Sequence, residues 1–323
     1  MLCTPLTQRL GLKHPIIQAP MALAAGGKLA AAVDSAGGLG LIGGGYGQSD
    51  WLEDQFRAAG NNMVGCGFIT WSLAEHRDLL DKALDHNPKA IMLSFGDIAP
   101  FAGQIKARNI PLIAQVQTVG DALAALDEGA DIIVAQGAEG GGHGLKRATF
   151  TLVPEIADHI YRLGSQAILC AAGGIADGRG LAAALGLGAD GVLVGTRFWA
   201  ATEALVHPNM QNAAIKATGD QTIRSTVMDM ARQRHWPEGF TARVLANDFI
   251  NKWHGREAEL AEKIDIIIPQ YQKAWEEGDI DMANVFVGEA TGLIADIQPA
   301  AEIIASMVEQ AEKIIRKQQG YIQ

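Results

Sequence analysis

Asp131-Ile132-Ile133-Val134-Ala135-Gln136-Gly137-Ala138-Glu139-Gly140-Gly141-Gly142-His143-Gly144 runs a β-branched segment straight into a glycine-rich loop. The apolar half reads as a buried strand. The second half cannot be packed core, because from Ala135 to Gly144 five glycines and one histidine fill six of ten positions. Glycine lets a backbone turn through φ > 0 and approach a flat partner closely, and histidine is the side chain that titrates near neutral pH. A strand that ends in such a loop reads as one wall of a reaction site.

Working outward, short apolar runs bounded by Gly or Pro recur at intervals of roughly 20 to 30 residues, alternating with Ala-rich segments of helical period, the rhythm of a parallel sheet. Eight strands are predicted, at 16–19, 39–42, 63–68, 90–93, 112–116, 132–135, 167–170 and 191–194. Eight favour a closed (β/α)8 TIM barrel over an open doubly wound sheet, and in such barrels the loops after the strand C-termini carry the chemistry. Ala172-Gly173-Gly174 follows the seventh run and Gly195-Thr196 the eighth, so three glycine clusters share that face. Glu128-Gly129-Ala130-Asp131 and Leu187-Gly188-Ala189-Asp190 each read as a helix exit through glycine into the next strand.

The rhythm stops near Glu203. Residues 1–204 form the predicted barrel. Residues 205–278, richer in polar and aromatic side chains, read as a helical insertion after strand eight that covers the active site, and residues 279–323 as C-terminal helices returning to the barrel. Two helices are predicted there, at 284–295 and 299–317. The second carries Ile303, Ile304, Met307, Ala311, Ile314 and Ile315 at helical spacing.

With 323 residues, 48% of them hydrophobic, and 38 glycines, the chain can bury a large α/β core. A net charge of −10 argues against a nucleic-acid partner, which needs clustered Lys and Arg. No uncharged run is long enough for a membrane span and no signal-peptide core is visible, so a cytoplasmic protein is expected. Cys3, Cys66 and Cys170 are odd in number, far apart and without ligand spacing, which suits reduced thiols rather than disulfides or a metal centre.

Gly173-Gly174 precedes Ala176-Asp177-Gly178-Arg179-Gly180 and a predicted helix, and backbone N–H groups at a helix start bind phosphate without a cation. In TIM barrels that phosphate site is commonly built by the loops after strands seven and eight, where Gly195-Thr196 supplies the second half. Neither loop is a Walker or a Rossmann element. A flat cofactor bearing one phosphate fits, and FMN is the natural candidate.

Several motifs together are similar to the FMN-dependent nitronate monooxygenases, formerly 2-nitropropane dioxygenases, and more distantly to the flavin enoyl-acyl-carrier-protein reductases. They are His14-Pro15-Ile16-Ile17-Gln18-Ala19-Pro20-Met21, Gly65-Cys66-Gly67-Phe68-Ile69-Thr70-Trp71, Gln136 through His143, Ala172 through Gly178, and Gly195-Thr196-Arg197-Phe198. The resemblance implies that Pro20, Met21 and Ala22 line a flavin ring and that Gly141 and Gly142 approach it. It further implies that Ala172, Gly173, Gly174, Gly195 and Thr196 hold the phosphate and that His143 is the catalytic base. Gly67 and Gln115 fall where the related quinone reductases carry an Asn and a Lys near the cofactor, so the neutral Gln115 weakens a nicotinamide-dependent role. Gly140 stands where family enzymes usually have Ala.

Gln136, at a strand end beside the loop, is a candidate flavin hydrogen-bond partner. Glu139 is a candidate second acid or base, against the commoner solvated loop carboxylate, and Trp71 and Trp236 are candidate walls of the substrate pocket. The remaining histidines have no ligand spacing.

The expected activity is oxidation of an alkyl nitronate by oxygen to a carbonyl compound and nitrite. One alternative keeps FMN but reduces a quinone or an enoyl thioester with NAD(P)H. A second is a non-catalytic barrel that binds a phosphorylated metabolite, against which His143 argues. Whether the chain forms a homo-oligomer is left open by the sequence.

Overall fold

Every predicted strand of the barrel is present in the structure, a computed structural model that describes residues 2–321. In chain order the strands are β1 (Ile16–Gln18), β2 (Leu41–Gly43), β3 (Gly65–Ile69), β4 (Ile91–Ser94), β5 (Leu112–Val116), β6 (Ile132–Gln136), β7 (Gly142–Gly144), β8 (Ile168–Ala172), β9 (Gly191–Val194), β10 (Thr222–Ser225) and β11 (Thr241–Leu245). All except β7, β10 and β11 form one parallel sheet in the order β1-β9-β8-β6-β5-β4-β3-β2. Leu39, just ahead of β2, exchanges hydrogen bonds of 3.0 and 2.9 Å with Ile16 and Gln18, which closes the sheet into a TIM barrel.

The barrel interior is filled by inward side chains that include Ile17, Met92, Ile113, Val134, Cys170 and Leu193. The helix Pro5–Leu10 seals its base with Leu6 and Leu10. That helix starts at Thr4, whose hydroxyl accepts from the Thr7 N–H, and it ends at Gly11 in the left-handed region. Outside the strands, the helices bury Leu29, Val33, Leu152, Ile156 and Leu181 in a second, larger cluster. The final helix, Ala300–Gln319, joins this cluster through Ile303, Ile304, Met307 and Ala311, as its spacing predicts. Gly129 and Gly188 have φ of +76° and +95°, the left-handed exits expected before β6 and β9.

Two expectations need correction. The segment after β9 is not wholly helical, since β10 and β11 pair with each other and β11 with β7 in a three-stranded antiparallel sheet among its helices. Residues 284–295 form no α-helix and contain only the 3-10 turn Glu289–Leu293. The reason is local: Glu289 donates its N–H to the Glu139 carbonyl at 2.9 Å, and a Cβ on Gly288 would lie 2.4 Å from that same oxygen. This stretch is therefore held extended against the glycine loop rather than coiled. Among the described residues no helix is long and apolar enough to cross a membrane.

Candidate active site

A cavity of about 240 Å³ opens over the C-terminal ends of the barrel strands. Pro20, Met21 and Ala22 line it beyond β1, Gln115 beyond β5, Gln136, Gly141, Gly142 and His143 beyond β6, Ala172, Gly173 and Gly174 beyond β8, and Gly195 and Thr196 beyond β9. Gly67 does not reach the wall. A Cβ there would lie 2.3 Å from Pro20 Cγ, so its absence lets Pro20 settle against β3. The insertion adds Arg232 and Trp236, and the returning chain adds Phe286.

The glycines of the loop have no side chains with which to fix it, and neighbours hold it by its carbonyls. Arg224 donates to Ala138 O at 3.1 Å, to Gly144 O at 2.6 Å and to the Thr241 carbonyl, while Arg243 donates to Ala138 O at 3.1 Å and pairs with Glu289 at 2.8 Å. Burial and the adjacent Arg243 cation lower Arg224 to about 10, still charged at neutral pH. From below, Gln136 donates to His143 O at 3.1 Å, and its own carbonyl oxygen accepts from Gln115 at 3.0 Å and Gln117 at 2.8 Å. Glu139 is half-buried on the cavity wall, and its carboxylate accepts the Thr149 N–H at 3.0 and 3.1 Å, at the positive end of the helix Thr149–Arg162.

Strand β7 presents His143 opposite Ala242 of β11. The imidazole is 7% exposed and its Nε2 lies 2.8 Å from Asp229 Oδ2. Trp236 stacks on its face with 3.4 Å between centroids and 7° between planes, Phe95 packs edge-on against Trp236, and Phe240 packs edge-on against Phe95. Trp71 does not line the cavity but backs Trp236 edge-on at 5.5 Å. Burial depresses the His143 pKa, the contact with Asp229 opposes this, and the Arg232 and Arg224 cations add to the depression. At neutral pH the ring is therefore an uncharged base.

That depression links to stability. The unfolded chain takes up a proton at His143 near pH 6.5 while the folded chain takes it up only at lower pH, so stability is full above that value and declines as pH falls below it. Denaturant midpoints measured between pH 7 and pH 5 should fall, and less steeply in His143→Phe. A variant with an unchanged slope would show that His143 is not buried neutral.

The first N–H groups of the helix Gly178–Gly186, expected as phosphate donors, are already bonded within the protein. Gln310 accepts the Gly178 N–H at 2.7 Å, and Asp177 accepts those of Arg179 and Gly180 at 2.8 and 3.4 Å. Arg197 is turned away to Asp296 at 2.8 Å. What lies open is the pair of glycine loops: among the described residues, the N–H groups of Gly174, Gly195 and Thr196 donate to no protein acceptor. Three free donors on the cavity wall, together with an apolar wall at Pro20, Met21 and Ala22, are compatible with a flat ring carrying one phosphate.

Sequence reasoning missed Asp229, Arg232, Gln117 and Phe286. A signal did exist for Asp229: it is a lone carboxylate in Val227-Met228-Asp229-Met230-Ala231, and acidic residues are rarely buried unless paired.

A sequence profile described as nitronate monooxygenase matches residues 4–63 and 69–310. The nitronate monooxygenase npaC of Metarhizium robertsii is 34% identical over 93% of this chain and 91% of its own length. The nitronate monooxygenase of Neurospora crassa is 33% identical over 96% and 92%. Among solved structures, FabK from Thermotoga maritima is similar at a TM-score of 0.88 and 32% identity, covering 100% of both chains. A nitroalkane oxidase from Streptomyces ansochromogenes, at TM-score 0.78, 23% identity and 94% and 96% coverage, bears on the fold alone.

Proposed function

Because the chain belongs to the nitronate monooxygenase family and is thereby a flavin-dependent oxidoreductase, we propose that it binds FMN and oxidises alkyl nitronates with dioxygen to a carbonyl compound and nitrite. The observation that carries the reading is His143, a buried, uncharged imidazole on the wall of a cavity that also offers unpaired backbone donors. A neutral base is what removal of an α-proton next to a nitro group requires, and a monophosphate is what a few backbone N–H groups can hold without a cation.

In this reading Gly173, Gly174, Gly195 and Thr196 hold the phosphate, Pro20, Met21 and Ala22 support one side of the ring, and Gly141, Gly142, Gln115 and Gln136 border it. The flavin, when bound, supplies the redox chemistry between nitronate and oxygen. His143 accepts the α-proton of a neutral nitroalkane, a step a preformed nitronate does not need. The Arg232 guanidinium, 5.0 Å from the Phe286 ring and facing the same cavity, offers positive charge to the nitronate anion. Trp236 covers the imidazole and keeps bulk water from it. The insertion, 205–278, thus serves as cover as well as support.

Similarity to FabK favours a second reading, reduction of an enoyl thioester or a quinone with NAD(P)H. Anaerobic mixing separates the two. Purified protein should be yellow, and its flavin absorbance should bleach with an alkyl nitronate and persist with NADH. Bleaching by NADH alone would transfer the chain to the reductases. A colourless protein, inactive after FMN is added, would leave only a metabolite-binding barrel.

A further inference from the structure

We propose that Asp229, carried by the insertion, is the positioning residue that fixes His143 with Nε2 protonated and leaves Nδ1 as the ring nitrogen open to substrate. This rests on the reading of His143 as the base. An ionised carboxylate only accepts hydrogen bonds, so the uncharged imidazole 2.8 Å from Asp229 Oδ2 must carry its proton on Nε2. Nδ1 then holds the lone pair. Among the described residues it has no hydrogen-bond partner, and unlike the Nδ1 of His14 it is not sealed from solvent.

Asp229 is itself held firmly. Its Oδ1 faces Arg232 Nη1 at 3.4 Å, its N–H donates to Thr226 O at 2.9 Å, and Val227, Met228 and Ala231 on either side of it are buried in the core of the insertion. The pair is desolvated, with both side chains 6% exposed. The charged groups acting on the imidazole are Asp229 and Arg232 from the insertion helix and its end, and Arg224 from β10; Trp236 covers one face and Phe286 stands 6.0 Å away. Asp229 is the single anion among them and the single one in direct contact. A carboxylate that fixes tautomer and ring orientation is the established way of making a histidine an effective base.

The test uses the flavin-loaded enzyme. Asp229→Asn should lower kcat for a neutral nitroalkane roughly a hundredfold or more, with KM little changed and nitronate turnover much less affected. It should also move the acid limb of the kcat/KM profile to lower pH, because the one anion favouring the protonated ring is gone. Asp229→Glu should recover part of both. Nitrogen-15 NMR of the imidazole should report Nε2–H in the wild type and loss of that single tautomer in Asp229→Asn. A wild-type ring protonated on Nδ1 overturns the proposal even if no variant folds. So does an Asp229→Asn enzyme that is slower with an unmoved acid limb and an unchanged tautomer, since that describes a structural role alone. If His143→Ala leaves nitroalkane turnover intact, the base reading itself fails, while the NMR comparison still decides whether Asp229 sets the tautomer.

Discussion

His143→Ala should divide two substrates that differ by one proton. A neutral nitroalkane must lose its α-proton before it can give up electrons, whereas its nitronate has already lost it. Removing a positioned general base typically costs about 10² to 10⁴ in rate, and that loss should fall on the nitroalkane. Nitronate oxidation should drop only as far as the imidazole also helps to seat the anion. Flavin content should not change, because the donors assigned to the phosphate are backbone N–H groups of other loops, which the substitution leaves in place. The measurement is kcat/KM for a nitroalkane and its nitronate, wild type against variant, with flavin followed by absorbance. Equal losses on both substrates with flavin retained would make His143 a binding or tuning group and remove its role in proton abstraction.

The second large effect is expected at Gly174, where φ is +74° and the N–H is unpaired. Valine strongly resists that backbone conformation, at a cost of about 1–3 kcal/mol, and the loop can escape the strain by giving up the geometry that aims its donors into the cavity. Taken entirely from cofactor binding, this is a roughly 5- to 150-fold weaker flavin site. A Cβ at this position would meet only the Glu139 side chain, at 3.4 and 3.7 Å, so the barrel itself should stay folded. Gly174→Val should therefore purify with native-like circular dichroism and little yellow colour. Full flavin content in the variant would relocate the phosphate.

The elements legible in the sequence are those whose signal lies within a few residues. The barrel strands announce themselves because each is buried on both faces and reads as a continuous apolar run, such as Ile132-Ile133-Val134, bounded by turn residues. The glycine loops are equally visible, and all but Gly67 of the site residues expected from them line the cavity. What stayed hidden depends on distant partners. Gly142-His143-Gly144 has the weakest strand propensity available and is a strand only because β11 pairs with it. Thr222–Ser225 is short and polar, and its edge is satisfied by β11 rather than by its own pattern. The missing helix at 284–295 has the same cause, since Val285 and Val287 are buried in a cluster shared by the insertion with Ala24 and Trp199 of the barrel and not by a helical face. Asp229 needed a three-dimensional neighbour before its burial meant anything.

The pairing of β7 with β11 also bears on how the molecule is assembled in time. Gly144 meets Thr241 across roughly a hundred residues of intervening chain, and closing so long a span costs more entropy than any contact between successive barrel strands. All the barrel strands lie before Gly195, whereas the strand that clamps the loop around His143 begins only at Thr241. The loop around His143 thus depends for its order on a partner strand that no barrel strand needs.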